Sequence, residues 1–295
     1  MKSIAILIPI FNRLEITKQG LNSLYKSLEY YKINGRGENQ HYGIIIDDGS
    51  TDGSTEWISA NYKEIYLLKG DGNLWWTGSI NKGADYAITI LNSDYILLWN
   101  DDVHPNLDYF VVIENLIKDE CYENTIIGSK VVSINEPDKI WSAGGVFDRF
   151  SGNFGMKTKI SEFTENIVRC DWLPGMGTLI PVARIKSLGL KWDDKHFPHY
   201  HGDSDFTLRC NSSGIKIITY LALIIWNNTE TSGFRKKKSI KDLRTSFTSL
   251  KSGYNIKVDF RFYARHGYFP FAFAGMFMKY FYYLGGYVKH SLLKL

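Results

Sequence analysis

The chain has 295 residues, of which 44% are hydrophobic and 22% are charged, a balance that excludes a disordered tail, a collagen-like rod and a simple repeat. Its three cysteines, Cys121, Cys170 and Cys210, lack C-x-x-C spacing, which argues against both a disulfide framework and a zinc ribbon. From Thr231 onwards 13 lysines and arginines stand against two acids, whereas residues 1–230 carry 22 against 29, so we expect no nucleic-acid partner for the acidic body.

Strands and helices are predicted to alternate through the first part of the chain. The first apolar run, residues 4–10, ends at a Pro-Ile-Phe-Asn turn rather than at a small-residue cleavage site, and we interpret it as a buried strand. We therefore expect the protein in the cytoplasm. The other predicted strands are 42–46, 65–68 and 95–99, and the predicted helices are 13–31, 78–91 and 105–118. This order predicts an α/β fold with a mostly parallel sheet covered by helices.

The pattern is less regular after residue 125. Glycines between Gly144 and Gly155 predict hairpins, and residues 183–188 predict a short helix. Residues 203–211 predict another helix, with Phe206 and Leu208 as core contacts. We expect residues 1–230 to form one domain and residues 231–295 to form a basic, aromatic, helical tail.

Three of the predicted strands end in polar loops, which contain residues 9–12, 47–50 and 100–102. Ligands bind beyond the carboxyl ends of strands in an open parallel sheet, so we expect these loops to meet at one rim. Asp, Gly and Ser also form ordinary turns and helix caps, which leaves a purely structural role open for each loop. The adjacent Asp101 and Asp102 repel each other unless a cation compensates, and Mg²⁺ or Mn²⁺ suits such carboxylates together with substrate phosphates.

A fourth polar segment, residues 199–206, contains Asp203 and Asp205 at a predicted junction between a loop and a helix. Both carboxylates can cap the helix, or one can act as a base while the other anchors the helix. The neighbouring His199 and His201 lack the one-turn spacing of a helical metal-binding pair, and we interpret them as loop or substrate contacts.

These segments, in this order, resemble the motifs of family 2 glycosyltransferases, whose fold is GT-A. They are Ile-Leu-Ile-Pro-Ile-Phe-Asn at 6–12, Ile-Asp-Asp-Gly-Ser-Thr-Asp at 46–52, Asn-Asp-Asp at 100–102 and Gly-Asp-Ser-Asp-Phe at 202–206. A further segment, residues 72–78 with Asn81 and Gly83, resembles the rhamnosyltransferase-like branch in particular. Each motif is weak alone, but the ordered set is specific, and the resemblance covers about residues 3–228.

The resemblance implies a role for each matching residue. It implies that the donor nucleotide is bound by Pro9, Phe11, Asn12, Asp48, Asn81 and Asp101. It also implies that Asp102 holds a Mg²⁺ or Mn²⁺ ion, that Asp203 is the catalytic base, and that Asp205 supports the helix that it starts. Contacts to the donor sugar or the acceptor would come from Trp76, Trp172, Gly175 and Asp205. Core packing is the alternative for the paired tryptophans Trp75 and Trp76.

The implied activity is an inverting glycosyltransferase, a hexosyl- or rhamnosyltransferase. It would move a sugar from a UDP- or dTDP-sugar to a hydroxyl of a glycan or lipid-linked acceptor, in cell-surface polysaccharide synthesis. A non-catalytic nucleotide-sugar-binding or scaffold protein of the same fold is the alternative. A sugar-phosphate nucleotidyltransferase is disfavoured, because residues 9–13 do not form the glycine-rich, basic first loop of that class.

Two positions depart from the family's pattern. Ile80 stands where many relatives have the arginine of Ala-Arg-Asn, so one arginine contact is missing. Residues 226–228 read Trp-Asn-Asn where many relatives have a histidine. The metal therefore either lacks one protein ligand or is bound by Asn227 or Asn228.

The tail contains a stretch of 21 residues, 268–288, with a single charge at Lys279. This stretch nearly meets the length of a membrane span, but its many Tyr and Phe residues and its basic flanks favour a position at the membrane surface. We therefore expect the protein at the inner face of the membrane. A helical hairpin packed on the catalytic domain and a homodimer interface are the alternatives.

Overall fold

A computed structural model describes residues 1–159, 166–228 and 240–291. Its first part alternates strands and helices through β1 (Ser3–Ile10), α1 (Leu14–Asn34), β2 (Gln40–Asp47), α2 (Ser54–Asn61), β3 (Tyr66–Lys69), α3 (Trp75–Thr89) and β4 (Tyr95–Leu98). β1 lies parallel between β2 and β4, and β3 pairs in parallel with the far side of β2. The predicted alternation is therefore confirmed over this part of the chain.

The second part adds shorter elements. They are β5 (Val103–Pro105), α4 (Tyr109–Lys118), a 3-10 turn (Glu120–Tyr122), β6 (Thr125–Ser133), β7 (Ile140–Ser142), β8 (Gly145–Phe147), β9 (Phe154–Met156), β10 (Ile167–Arg169), β11 (Thr178–Pro181), α5 (Val182–Ser187), α6 (Gly202–Ser212) and β12 (Lys216–Asn227). The main sheet has the order β10-β12-β6-β11-β4-β1-β2-β3, with β5 paired to β12 and β7 to β6. β6 and β12 are parallel, while β11 is antiparallel to both of its neighbours. The predicted α/β fold with a mostly parallel sheet is confirmed, and β8 and β9 form a hairpin where hairpins are predicted.

The helix predicted from residue 105 begins later, at Tyr109, which corrects the sequence prediction. Val103 and Pro105 are buried in β5, which pairs antiparallel with the end of β12. An edge strand accepts proline where the backbone position without an N–H group points away from the partner strand. The pairing sets Asn227 opposite Val103, beside the loop that carries Asp102.

Both faces of the sheet are buried, as expected for parallel strands between two layers of helices. Along β1, Ile4, Ile6 and Ile8 face a core cluster that also contains Leu21 and Leu24 of α1. The alternate residues of β1 face a second cluster on the opposite side, together with Ile80 and Ala84 of α3. Because β1, β2, β3 and β4 run parallel, their carboxyl ends lie at one rim of the sheet.

The C-terminal tail forms three helices, α7 (Ile240–Thr248), α8 (Ile256–His266) and α9 (Ala272–Ser291). A third core cluster joins them to the body, and its members from the tail include Val258, Phe262, Tyr263, Met276 and Tyr280. Its members from the body are Phe147, Trp172, Phe197 and Leu208. The described tail is therefore packed on the body as a helical arrangement, one of the alternatives that the sequence leaves open. The expected boundary at residues 230–231 lies outside the described residues.

One face of α9 is apolar and exposed. We call it the apolar stripe of α9, and it consists of Ala274, Phe277, Met278, Phe281, Tyr282, Gly285 and Val288. Phe277, Phe281 and Tyr282 are 65%, 68% and 69% exposed. Within the described parts of the chain, no helix combines the length and the apolar character that crossing a bilayer requires.

Candidate active site

A cavity of about 1340 Å³ opens at the carboxyl ends of β1, β2 and β4. The end of β1 contributes Pro9 to its wall, and the loops that follow the three strands contribute Phe11, Asp48, Asp101 and Asp102. The remaining wall includes Trp76, Trp172, Gly175 and Asp203 of the body and Tyr254, Met278, Lys279 and Tyr282 of the tail. The carboxylates that the sequence predicts to gather therefore line one cavity, although they are far apart along the chain.

Asp48 organises the loop that leads into α3. Its Oδ1 accepts the backbone N–H groups of Gly72 and Leu74 at 2.9 and 3.2 Å, and its Oδ2 accepts that of Trp75 at 2.9 Å. Trp75 has a φ of 57°, in the left-handed region that non-glycine residues rarely adopt. These three hydrogen bonds hold that backbone and place the start of α3 against the cavity.

Arg13 compensates the charge of the two adjacent carboxylates. Its Nη1 lies 3.0 Å from Asp101 Oδ1 and its Nη2 lies 2.7 Å from Asp102 Oδ2. Asp101 is buried and also accepts a hydrogen bond from Thr17 Oγ1 at 3.0 Å, whereas the Asp102 side chain is 18% exposed. Burial raises the pKa of Asp101 to about 6, against the charge of Arg13 and together with the repulsion from Asp102.

The residues around Asp102 fit a hard divalent cation. Asn227 Oδ1 is buried and has no hydrogen-bond partner among the described residues, and both Asn227 and Asp102 line the cavity. Carboxylate and amide oxygens are ligands that Mg²⁺ and Mn²⁺ accept, with water and substrate phosphates completing the shell. Within the described residues no group of three His, Cys, Asp or Glu side chains could hold a metal by itself. A cation held here would therefore need further oxygen ligands from water or from a bound phosphate.

Asp203 lies in the first turn of α6 and faces the cavity. Its Oδ2 accepts the N–H of Gly175 at 2.8 Å, and its Oδ1 accepts the N–H of Ser204 at 2.7 Å. Burial raises the pKa of the Asp203 carboxyl above its ordinary value, although both hydrogen bonds and the charge of His201 act in the opposite direction. A carboxylate with a raised pKa accepts a proton more readily, as a general base requires.

Two tryptophans both pack in the protein and line the cavity. A Cβ added at Gly175 would lie 2.1 Å from the Trp76 ring, so only glycine lets this loop approach so closely. Trp76 Nε1 donates a hydrogen bond to Asn100 Oδ1 at 3.1 Å. Trp172 is buried and stacks on Phe154, with ring centroids 4.6 Å apart. The two tryptophans therefore give the cavity an aromatic wall that is fixed by packing and by a hydrogen bond.

Three residues that the sequence assigns to the site do not line the cavity. Asn12 Oδ1 accepts the N–H of Thr51 at 2.7 Å, which ties together the loops after β1 and β2. Asn81 donates its side-chain amide to the carbonyl oxygen of Trp192 at 2.9 Å. Asp205 is fully buried and is paired with Arg209, Arg265 and His266. These positions give the three residues structural roles, and they do not support direct contacts with the substrates.

Several residues of the cavity wall belong to none of the predicted motifs. Arg13 directly follows a predicted motif, but no pattern indicates that it pairs with Asp101 and Asp102. The tail contributes Lys251, Tyr254, Met278, Lys279 and Tyr282 to the wall. All five lie far along the chain from every motif. The single charge within residues 268–288 was the available signal, because a lone lysine in an apolar helix needs a partner.

Known proteins share the family pattern and the fold of this chain. The family model described as Glycosyl transferase family 2 matches residues 5–174. S. aureus TarS 1-349 in complex with UDP-GlcNAc is 15% identical at a TM-score of 0.55, with 81% of this chain and 60% of that chain covered. GalNAc-T7 with UDP, GalNAc and Mn²⁺ is 13% identical at a TM-score of 0.58, with 77% and 44% covered.

This chain thus spans less than two thirds of either protein, and at these identities the likeness establishes the fold. The expected GT-A fold is confirmed. A comparison of the sequence with curated proteins gives no match.

Proposed function

The chain belongs to glycosyltransferase family 2, and from this premise we propose that it transfers a sugar from a UDP- or dTDP-sugar to a hydroxyl of a glycan or lipid-linked acceptor. The observation that carries the proposal is the meeting of Asp48, the Asp101–Asp102 pair and Asp203 on one cavity. TarS and GalNAc-T7 are bound to uridine nucleotides, which supports UDP as the carrier. The sequence around Trp75 and Trp76 supports a hexosyl- or rhamnosyltransferase of the rhamnosyltransferase-like branch.

We infer an inverting mechanism. The acceptor oxygen forms a bond to the anomeric carbon as the bond from that carbon to the diphosphate oxygen breaks. The bonding electrons leave with the nucleoside diphosphate, and the acceptor proton moves to the Asp203 carboxylate. A positioned base of this kind contributes about 10²- to 10⁴-fold to the rate. The N–H groups of Gly175 and Ser204 keep the carboxylate oriented toward the cavity.

Asp102 and Asn227 are the residues that would hold Mg²⁺ or Mn²⁺. When bound, such an ion offsets the negative charge of a departing diphosphate. Arg13 already neutralises part of the charge of Asp101 and Asp102, so this corner of the cavity stays folded before the donor arrives. The nucleoside would lie beside Pro9 and Phe11, which line the same cavity at the end of β1.

We also place the enzyme at the inner face of the membrane, where lipid-linked precursors of cell-surface polysaccharides are built. The support is the apolar stripe of α9, together with the excess of 13 basic over two acidic residues from Thr231 onwards. Exposed aromatic side chains beside basic ones suit the interface of an anionic bilayer. Met278 and Tyr282 belong both to the stripe and to the cavity wall, so an acceptor at that surface is next to the cavity.

A donor screen tests the proposed function directly. The full chain is incubated with UDP-, dTDP- and GDP-sugars, each with and without Mn²⁺, and release of the nucleoside diphosphate is measured. Turnover with a uridine or thymidine donor supports the proposal, and NMR of the product's anomeric carbon tests inversion. Donor binding without any turnover would instead favour the non-catalytic alternative, in which Arg13 permanently occupies the carboxylate pair.

A further inference from the structure

The tail contains a buried carboxylate that the proposed chemistry does not use. Asp259 of α8 is 1% exposed and lies 2.9 Å from His201 Nε2. It also accepts hydrogen bonds from Lys279 Nζ and from the Tyr280 hydroxyl, both at 2.6 Å. A buried charge is costly unless it is paired and hydrogen-bonded. The contacts from His201, which precedes α6, and from Lys279 and Tyr280 of α9 meet this requirement for Asp259.

The partner of Asp259 in the body, His201, occupies a constrained position. It has a φ of +66° and immediately precedes α6, the helix whose first turn contains Asp203. Its ring stacks on Phe262 with centroids 4.0 Å apart, and its Nδ1 lies 3.3 Å from Ser204 Oγ. The backbone N–H of Ser204 in turn donates to Asp203 Oδ1. The tail thus holds the His201 ring on one side. On its other side the ring contacts Ser204, in the first turn of α6, which also contains Asp203.

From these contacts we propose that Asp259 is a positioning residue for the catalytic base, acting through His201, and that Lys279 and Tyr280 of α9 hold Asp259 in place. The proposal rests on the proposed function, since it takes Asp203 as the base. The described tail then does more than cover the cavity. It fixes the conformation in which α6 presents Asp203 to the acceptor.

The charge of Asp259 is consistent with this role. Burial alone would raise the pKa of Asp259, but the hydrogen bond from His201 and the charge of Lys279 outweigh it and keep the pKa below its ordinary value. Asp259 is therefore ionised at neutral pH. An ionised carboxylate forms the stronger hydrogen bond to the imidazole and restricts the orientation of the His201 ring.

Two tyrosines on α9 provide a matched experiment. Tyr280→Phe removes the hydroxyl that contacts Asp259 Oδ2 and the Tyr254 carbonyl oxygen, whereas Tyr283→Phe removes a hydroxyl that lies 2.8 Å from Ser246 Oγ. We expect kcat to fall about tenfold in Tyr280→Phe and about 10²-fold in Asp259→Ala, with the KM for the donor unchanged, because small displacements of a reacting group are that costly. Tyr283→Phe should retain the wild-type kcat.

A merely structural anchor would give a different result. All three variants would then lose thermal stability, but kcat per folded molecule would stay at the wild-type value, and that outcome would overturn the proposal. Asp259→Asn should recover part of the kcat lost in Asp259→Ala, since its amide oxygen still accepts a hydrogen bond from His201. Equal kcat values for Tyr280→Phe and Tyr283→Phe would also count against it.

A second measurement does not depend on turnover. The backbone amides of Gly175 and Ser204 both donate to Asp203, so their NMR resonances report the position of its carboxylate. They should shift in Tyr280→Phe and remain unchanged in Tyr283→Phe. If the wild-type protein processes no donor, the proposed function fails, while these two resonances still decide whether Asp259 positions Asp203. Unchanged resonances in both variants would refute the positioning role.

Discussion

Asp203 differs from Asp101 and Asp102, which are paired with Arg13, in how its oxygens are used. Two backbone N–H groups hold it, and no lysine or arginine pairs with it among the described residues. Asp203→Asn keeps the shape and loses the base, so we expect kcat to fall by at least about 10²-fold with the donor affinity within about twofold of wild type. Asp85→Asn, an exposed change on α3, is the control. Substantial turnover in Asp203→Asn would show that another group accepts the proton.

The raised pKa of Asp203 predicts the pH dependence of the reaction. The base acts only when ionised, so kcat/KM should decrease as the pH falls through a pKa above the ordinary value for aspartate. Asp101, whose pKa is raised to about 6, also ionises below neutral pH and could contribute its own acidic limb. The pH dependence of kcat/KM is therefore measured in wild type and in Asp101→Asn. If kcat/KM falls at low pH in both proteins, the decrease is assigned to Asp203. A flat profile down to about pH 4 would contradict the assignment.

Asp102 is partly exposed and forms an ion pair with Arg13. Its carboxylate can therefore exchange this partner for a cation that enters from the cavity. We expect Asp102→Ala to lose the effect of Mg²⁺ on donor-diphosphate binding, because a hard cation needs a carboxylate anchor. Isothermal calorimetry of the nucleotide, with and without Mg²⁺, measures this. Asp138→Ala, on an exposed loop, should keep the wild-type response. An unchanged Mg²⁺ response in Asp102→Ala would place the ion elsewhere.

At the scale of elements, the position of α1 is set by one close approach. A Cβ added at Gly20 would lie 2.0 Å from the carbonyl oxygen of Asp101, so α1 must move away from the loop after β4. Arg13 and Thr17, which both bind Asp101, would move with it. We expect Gly20→Ala to lower the free energy of unfolding by roughly 1–3 kcal/mol and to weaken donor binding.

Gly286→Ala is the matched control for Gly20→Ala. Both glycines lie inside helices, but nothing lies within 4 Å of a Cβ at 286. Alanine is the better helix former by about 1 kcal/mol, so Gly286→Ala should leave stability unchanged or increase it. Denaturation in urea measures both variants. Equal destabilisation would mean that the helix interior, and not the contact with Asp101, is responsible.

The elements show why part of the architecture can be predicted. Strands such as β1 are apolar on both faces and end in polar loops, and these local features predict the sheet, its rim and the meeting of Asp48 with Asp102, whereas Asp203 is expected at the site only from the resemblance. Position on the cavity wall depends in addition on the direction of each side chain. Asn81 lies on α3 close to the site, yet its amide is bonded to the Trp192 carbonyl, and no sequence pattern contains that information.

At the scale of the whole molecule, the tail was the part least accessible to prediction. Its composition indicates a surface, but its buried contacts with the body involve residues with large separations in sequence. Asp259 and His201 are 58 positions apart, and Asp205 and His266 are 61 apart. Such pairs follow from the complete fold. They make the tail and the body one packed unit in the described residues, while the apolar stripe of α9 stays exposed.

The apolar stripe of α9 predicts binding to a lipid surface. Burial of a phenylalanine is worth about 1.5–3 kcal/mol, so Phe277→Ser with Phe281→Ser should reduce sedimentation with phosphatidylglycerol-containing vesicles by at least about 10²-fold. Deleting α9 would be uninformative, because Met276 and Tyr280 belong to the core. Ile33→Ser with Ile90→Ser, two residues that are 81% and 61% exposed elsewhere on the protein, is the matched control.

Vesicle binding should also weaken with added salt and on phosphatidylcholine alone, because basic residues contribute to it. Equal vesicle binding by both double variants would exclude the lipid surface, and loss of self-association in the first variant alone would identify a second copy of the chain as the partner.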